Sequence, residues 1–189
     1  LMGGHSGAEI DKNRANANKL MGRFLYGLKK KAEYALISLT GGQKDNAITR
    51  ECTAEFLTDS VAEVKAYAKE LQEQLREEYT GSDENITFEI TEKGTATAEV
   101  LHPTSQEKIV FYLQNVPFGI QKMSGTIKGL VETSSNIGIL RLDRDELFAS
   151  SSVRSSVDAA CSALSDKIEY LTEFLGGDYE VQGAYPAWE

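Results

Sequence analysis

Basic side chains are in short supply in this 189-residue chain, which carries 20 Lys and Arg against 29 Asp and Glu, a formal net charge of −9. Duplex nucleic acid is bound largely by cations that displace counterions from phosphate, so that class of partner is disfavoured. A sheet-based RNA reader is disfavoured as well, because no aromatic RNP pattern marks the strands. Cysteine is nearly missing: Cys52 and Cys161 are too few for a disulfide scaffold or a thiolate zinc site, which suits a reducing cytoplasm. Long apolar runs are lacking too. Nothing approaches the roughly 18 consecutive apolar residues that cross a bilayer, and no basic-then-apolar leader is present. Histidine occurs only at His5 and His102, and the chain contains no HExxH, CxxC, GxSxG or GxxxxGK[ST] motif. A self-sufficient hydrolase or metalloenzyme is hard to assemble from such an inventory.

What is present suits a packed domain: apolar residues make up 41% and charged residues 26% of the chain. The apolar, glycine-rich opening Leu1-Met2-Gly3-Gly4-His5-Ser6-Gly7 lacks a polar lead-in and reads as a cut in mid-strand, so a domain taken from a longer chain is expected. Asp11 is the expected cap of a first helix whose apolar positions Ala17, Leu20, Met21, Phe24, Leu28 and Ala32 recur every three or four residues. Lys29, Lys30 and Lys31 then form a solvated helix end. Tyr34 to Thr40 and Ile48 to Leu57 read as two strands joined through Gly41-Gly42 and a polar turn. A second helix carries Val61, Val64, Ala68, Leu71, Leu75 and Tyr79 on one stripe, and Ile86, Phe88 and Ile90 alternate as a half-buried strand.

The second half repeats the order of elements without repeating residue identities. Ala98 and Val100 open it as a short strand, and Thr104 with Glu107 is the expected capping box of a third helix, stopped by Pro117. Strands follow over 132–142 and 146–153, joined by Asp143-Arg144-Asp145. A fourth helix carries Val157 through Leu175 and ends at Gly176-Gly177, and Tyr179 with Val181 makes a last strand. The fold expected is α+β: two tandem ferredoxin-like halves, 1–93 and 94–189, each strand-helix-strand-strand-helix-strand. Edge pairing joins them into one antiparallel sheet of about eight strands with helices on one face. Cys161 falls on an apolar stripe as a small core residue.

Taken one by one, four residues stand out. His5, between two glycine pairs, leaves an imidazole projecting from backbone that approaches other surfaces closely, although a turn histidine bonded to a neighbouring carbonyl accounts for it equally. Ser6 cannot serve it as a nucleophile, since adjacent side chains in an extended stretch point apart. His102 is simply a loop residue. Arg154 ends a strand of small residues, with room around its fork for a carboxylate or for a local surface pair. Asn136 and Asn46 each offer an amide to a ligand or to an Asx turn.

Five short segments in order resemble one family. They are Gly3-Gly4-His5-Ser6-Gly7 continuing to Arg14-Ala15-Asn16-Ala17-Asn18-Lys19-Leu20; Gly41-Gly42 with Asn46-Ala47-Ile48-Thr49-Arg50-Glu51; Glu132-Thr133-Ser134-Ser135-Asn136-Ile137-Gly138; Val153-Arg154-Ser155-Ser156; and Gly183-Ala184-Tyr185-Pro186-Ala187-Trp188. Together they resemble the lid, or dimerisation, domain of bacterial aminoacyl-histidine dipeptidases, di-zinc exopeptidases related to carnosinase and carboxypeptidase G. Thr49 and Ala187 depart from the proline and glycine of many relatives.

The resemblance implies two zinc or other divalent ions, held in a separate catalytic domain that this sequence lacks, and no cofactor in this domain itself. It implies that the isolated domain is inactive, while the complete enzyme hydrolyses dipeptides such as Xaa-His. It implies that His5 donates to the substrate carbonyl as it becomes an oxyanion, that Arg154 binds the terminal carboxylate, and that Asn136, or less fittingly Asn46, assists. The partners implied are its own catalytic domain, a dipeptide and a second copy of the enzyme, with His5 acting within its chain or across that dimer. The competing expectation is a non-enzymatic ferredoxin-like module for small-molecule sensing or oligomerisation.

Overall fold

A computed structural model describes residues 1–144 and 146–183. Four α-helices pack on a mostly antiparallel curled sheet, as the α+β reading expects. The elements are β1 (Gly4–His5), α1 (Ala17–Leu28), β2 (Ala35–Gly41), β3 (Ala47–Ile48), β4 (Cys52–Leu57), α2 (Val61–Glu78), α3 (Pro103–Asn115), β5 (Gly119–Met123), β6 (Val131–Asp143), β7 (Glu146–Ser155) and α4 (Asp158–Phe174). A short 3-10 turn, Ile10–Lys12, follows β1.

The 13-residue β6 organises the sheet. One of its edges pairs with β7 from Thr133↔Ser155 to Asp143↔Glu146. Its other edge is divided: β5 takes the first part (Gly119↔Ser135 to Met123↔Val131) and β2 takes the last (Leu39↔Leu142 to Gly41↔Leu140). β4 extends the sheet beyond β2. The three-residue β2–β6 ladder is thus where strands from the two parts of the chain join. Leu36, Leu39, Ile137, Leu140 and Leu142 of the sheet are buried with Leu20, Phe24, Leu25 and Leu28 of α1, Leu71 and Leu75 of α2, and Ile109 and Leu113 of α3. An aromatic stack of Tyr67, Phe24 and Phe88, with centroids 5.6 and 5.3 Å apart, ties α2 and the 86–90 stretch to α1.

Several boundaries differ from those expected, each for a local reason. Asp11 falls in the 3-10 turn, and α1 is capped by Asn16, whose side chain accepts from the Asn18 and Lys19 N–H groups. α3 is capped not by Thr104 but by His102, whose Nδ1 accepts from Thr104 N at 3.2 Å, with Pro103 in the first turn. The expected 48–57 strand is broken into β3 and β4 around Arg50-Glu51. β5 escapes the sequence because Gly-Ile-Gln-Lys-Met holds only two apolar positions.

The three outer strands expected at 86–90, 98–100 and 179–181 form no ladder among the described residues. The alternation itself holds at the first of them, with Ile86 buried and Phe88 and Ile90 packed partly against the core. Its backbone groups are instead satisfied by α2 side chains: Phe88 N donates to Gln72 Oε1 at 2.9 Å, and Arg76 Nε donates to Ile86 O at 2.8 Å. Near the second, a single bond from Leu101 N to Leu36 O (2.9 Å) reaches β2.

Candidate functional site

His5 is placed by β1, which pairs with β3 through Gly4↔Ile48 and His5↔Ala47, and by Ser6 N donating to Asn46 O at 2.9 Å. The imidazole is exposed. Its Nδ1 accepts from Gly7 N (3.2 Å) and Ala8 N (3.0 Å), so in the neutral ring the proton resides on Nε2. The local turn thereby fixes the tautomer and leaves Nε2–H as a donor. Glu9 steadies the same turn: its Oε2 accepts from His5 N at 2.8 Å and its Oε1 meets Arg14 Nη1 at 2.8 Å. The His5 N–H, followed by Arg14, holds the Glu9 carboxyl below its ordinary range despite the opposing effect of burial.

Arg154 comes from β7, opposite Ser134, in the other half of the sequence. The two residues meet at Gly7. A Cβ on Gly7 would lie 2.8 Å from Arg154 Nη1, 3.1 Å from Arg154 Cζ and 3.1 Å from His5 Cε1. A side chain at this position would have to displace the guanidinium and crowd the imidazole. The Arg154 Nε is buried and has no partner among the described residues.

The asparagines divide. Asn46 is exposed in the 42–48 hairpin, next to the residue that pairs with His5. Asn136, expected to offer its amide to a ligand, is only 1% exposed and has that amide fully engaged. Its Nδ2 donates to Asp45 O (3.0 Å) and Ala47 O (2.8 Å), and its Oδ1 accepts from Asn16 Nδ2 at 3.0 Å. Beside it, Thr49 Oγ1 lies 3.2 Å from Ile137 O and 3.0 Å from Gly138 O, and accepts from Asn18 Nδ2 at 3.2 Å. The hairpin lies close on β6 here. A Cβ on Gly42, whose φ is +72°, would be 1.8 Å from Gly138 O, and one on Gly138 would be 2.4 Å from the Asp45 carbonyl oxygen. Asn16 and Asn18 were passed over as site residues; two poor helix formers at the very start of an apolar helix were the available signal.

His102 is a helix cap remote in role from His5. Among the described residues no group of three His, Cys, Asp or Glu is placed to hold a metal ion. No described helix is long and apolar enough to cross a membrane. Residues 184–188 of the last resembling segment, and Asp145 of the charged turn, lie outside the described residues.

Residues 1–83 match the family described as the peptidase dimerisation domain. The whole chain is 31% identical to the cytosol non-specific dipeptidase of Escherichia coli (strain K12) and covers 39% of it. It superposes on the crystal structure of aminoacylhistidine dipeptidase from Vibrio alginolyticus with a TM-score of 0.88 at 31% identity, over all of this chain and 39% of that one. The family match lies in the first 83 residues. The relatives are dipeptidases, and the chain spans about two fifths of their length. The matches do not favour the alternative of a non-enzymatic module for small-molecule sensing or oligomerisation.

Proposed function

We propose that this domain is the substrate-contacting lid of a cytoplasmic, metal-dependent dipeptidase that acts on dipeptides such as Xaa-His. The observation that carries the reading is the approach of both His5 and Arg154 to Gly7, one with an oriented Nε2–H and the other with its guanidinium. The ions, zinc by family resemblance, are assigned in this reading to a catalytic part of the enzyme; among the described residues no group of three His, Cys, Asp or Glu is placed to hold one.

A dipeptide presents two oxygen acceptors a few ångströms apart: the scissile carbonyl and the terminal carboxylate. Arg154 binds the carboxylate through its fork, which orients the peptide. His5 Nε2–H then donates to the carbonyl oxygen as negative charge grows on it, with the tautomer already fixed by Gly7 and Ala8 N–H. Asn46, exposed beside His5, contributes an amide to the same end of the substrate. The partners are the catalytic domain of the same enzyme and, as the family description implies, a second copy of it.

The test is made in the complete enzyme. His5→Ala should lower kcat by about 10²–10³ with unchanged circular dichroism, the typical value of one oxyanion donor. Arg154→Ala should raise KM for free dipeptides and leave C-terminally amidated ones unaffected. Unchanged kcat in the first variant, or equal effects on free and amidated substrates in the second, overturns the assignment.

A further inference from the structure

His5 has no strong anchor of its own. Its strand β1 is two residues long, and its ladder partner is β3, so its position is inherited from the 42–48 hairpin. Arg154 inherits its position from β6 through the long β6–β7 ladder. What fixes the spacing of imidazole and guanidinium is therefore whatever fixes the hairpin on β6. That fastening is a chain of buried amides. Asn136, on β6 at the pair Asn136↔Ser152, donates both Nδ2 protons to the carbonyls of Asp45 and Ala47, the latter being the residue that pairs with His5. Its remaining oxygen accepts from Asn16, which is 0% exposed and also donates to Ile137 O at 3.0 Å. Asn16 Oδ1 meanwhile caps α1.

We infer that Asn16 and Asn136 are positioning residues of the dipeptidase, a buried relay that sets the distance between His5 and Arg154 without touching substrate. The inference rests on the function proposed above for those two residues. Asn136 presents no free donor, and hydrogen bonds shielded from water are stiff, because each broken one leaves a carbonyl unpaired. The relay also explains why amides are used at all: an apolar side chain at 136 would fill the volume but leave the Asp45 and Ala47 carbonyls without these donors, and one at 16 would leave Asn136 Oδ1 without its donor.

Two variants separate the relay from general stability. Asn16→Ser keeps a capping oxygen for α1, since serine caps about as well as asparagine, but removes both donors to β6. Asn136→Asp keeps size and turns an acceptor toward the two hairpin carbonyls. In the complete enzyme, each should lower kcat by about 10- to 100-fold, the cost of small misplacements, with Asn16→Ser melting near the parent. In a His5→Ala background the same substitutions should change kcat less than about twofold, the signature of two residues acting through one. Hydrogen exchange supplies a readout independent of catalysis. Amides of residues 42–48 should exchange at least about tenfold faster in Asn136→Asp, while those of β2 and β4 keep their protection. Unchanged exchange in the hairpin, or kcat effects that multiply in full on His5→Ala, overturns the relay. Faster exchange together with a His5→Ala enzyme of normal kcat supports the relay and overturns the role given to His5.

Discussion

His5 and Arg154, 149 positions apart in the chain, both approach the bare α-carbon of Gly7. The first is held by a two-stranded ribbon, the second by a ten-residue strand of the main sheet. Gly7 is close enough to both that one added methyl group would touch the guanidinium and the ring together.

Gly7→Ala is therefore expected to damage activity far more than folding. The atoms in the way are the ends of two side chains, which swing aside at little cost to the core. In the complete enzyme, kcat/KM should fall by about tenfold or more while Tm stays within a few degrees. A Tm loss with no change in kcat/KM would place the glycine's importance in the backbone instead.

Gly22 presents the opposite case. A Cβ there would lie 2.5 Å from Leu113 Cβ and 3.2 Å from the Leu113 carbonyl carbon, so α1 and α3 touch at this point. Gly22→Ala must push the helices apart and should cost about 1–3 kcal/mol, the usual penalty of overpacking. Urea unfolding followed by circular dichroism would show it, and a stabilised variant would contradict the contact.

Lys19 fastens the same two helices electrostatically. Its Nζ donates to the carbonyls of Leu113 (2.5 Å), Gln114 (3.2 Å) and Val116 (2.8 Å) at the C-terminal end of α3. Burial pulls the ammonium down from 10.5 to about 8. Between those two values the unfolded chain binds the extra proton, so this group's contribution to stability rises as pH climbs through that window and is flat below it. Relative to Lys19→Met, the parent enzyme should gain Tm between pH 7.5 and 10. A relative loss would mean that the three carbonyls outweigh burial.

Cys52 on β4 and Cys161 on α4 are both half-buried, and burial pushes the Cys52 thiol up to about 12. A thiol reagent at neutral pH should therefore label Cys161 faster than Cys52, and denaturant should remove the difference. Equal native labelling rates would contradict the raised Cys52 thiol.

Much of the fold was legible because its signals are periodic. The α2 stripe from Val61 to Leu75, the 86–90 alternation and the β6–β7 hairpin all follow from repeats of 3.6 or 2 residues. What escaped was decided by tertiary partners. Nothing local distinguishes Asp11 from Asn16 as a cap; Asn16 wins because its amide also reaches β6. The 86–90 stretch has a strand's pattern, yet Gln72 and Arg76 supply the partners its backbone needs. His5, Arg154 and Asn46 were visible as residues, but their arrangement rests on β1, a two-residue strand too short to leave a pattern. Asn136 was visible too, and its engagement by Asp45, Ala47 and Asn16 was not, because side-chain hydrogen bonds across 91, 89 and 120 positions have no sequence signature.

The pairing of β1 with β3 and of β7 with β6 has a consequence for how such an enzyme behaves in dilute solution. Because β1 and β7, which carry the imidazole and the guanidinium, belong to a single polypeptide, their meeting is a matter of folding, untouched by concentration. Subunits pulled apart by dilution would still each carry the pair intact.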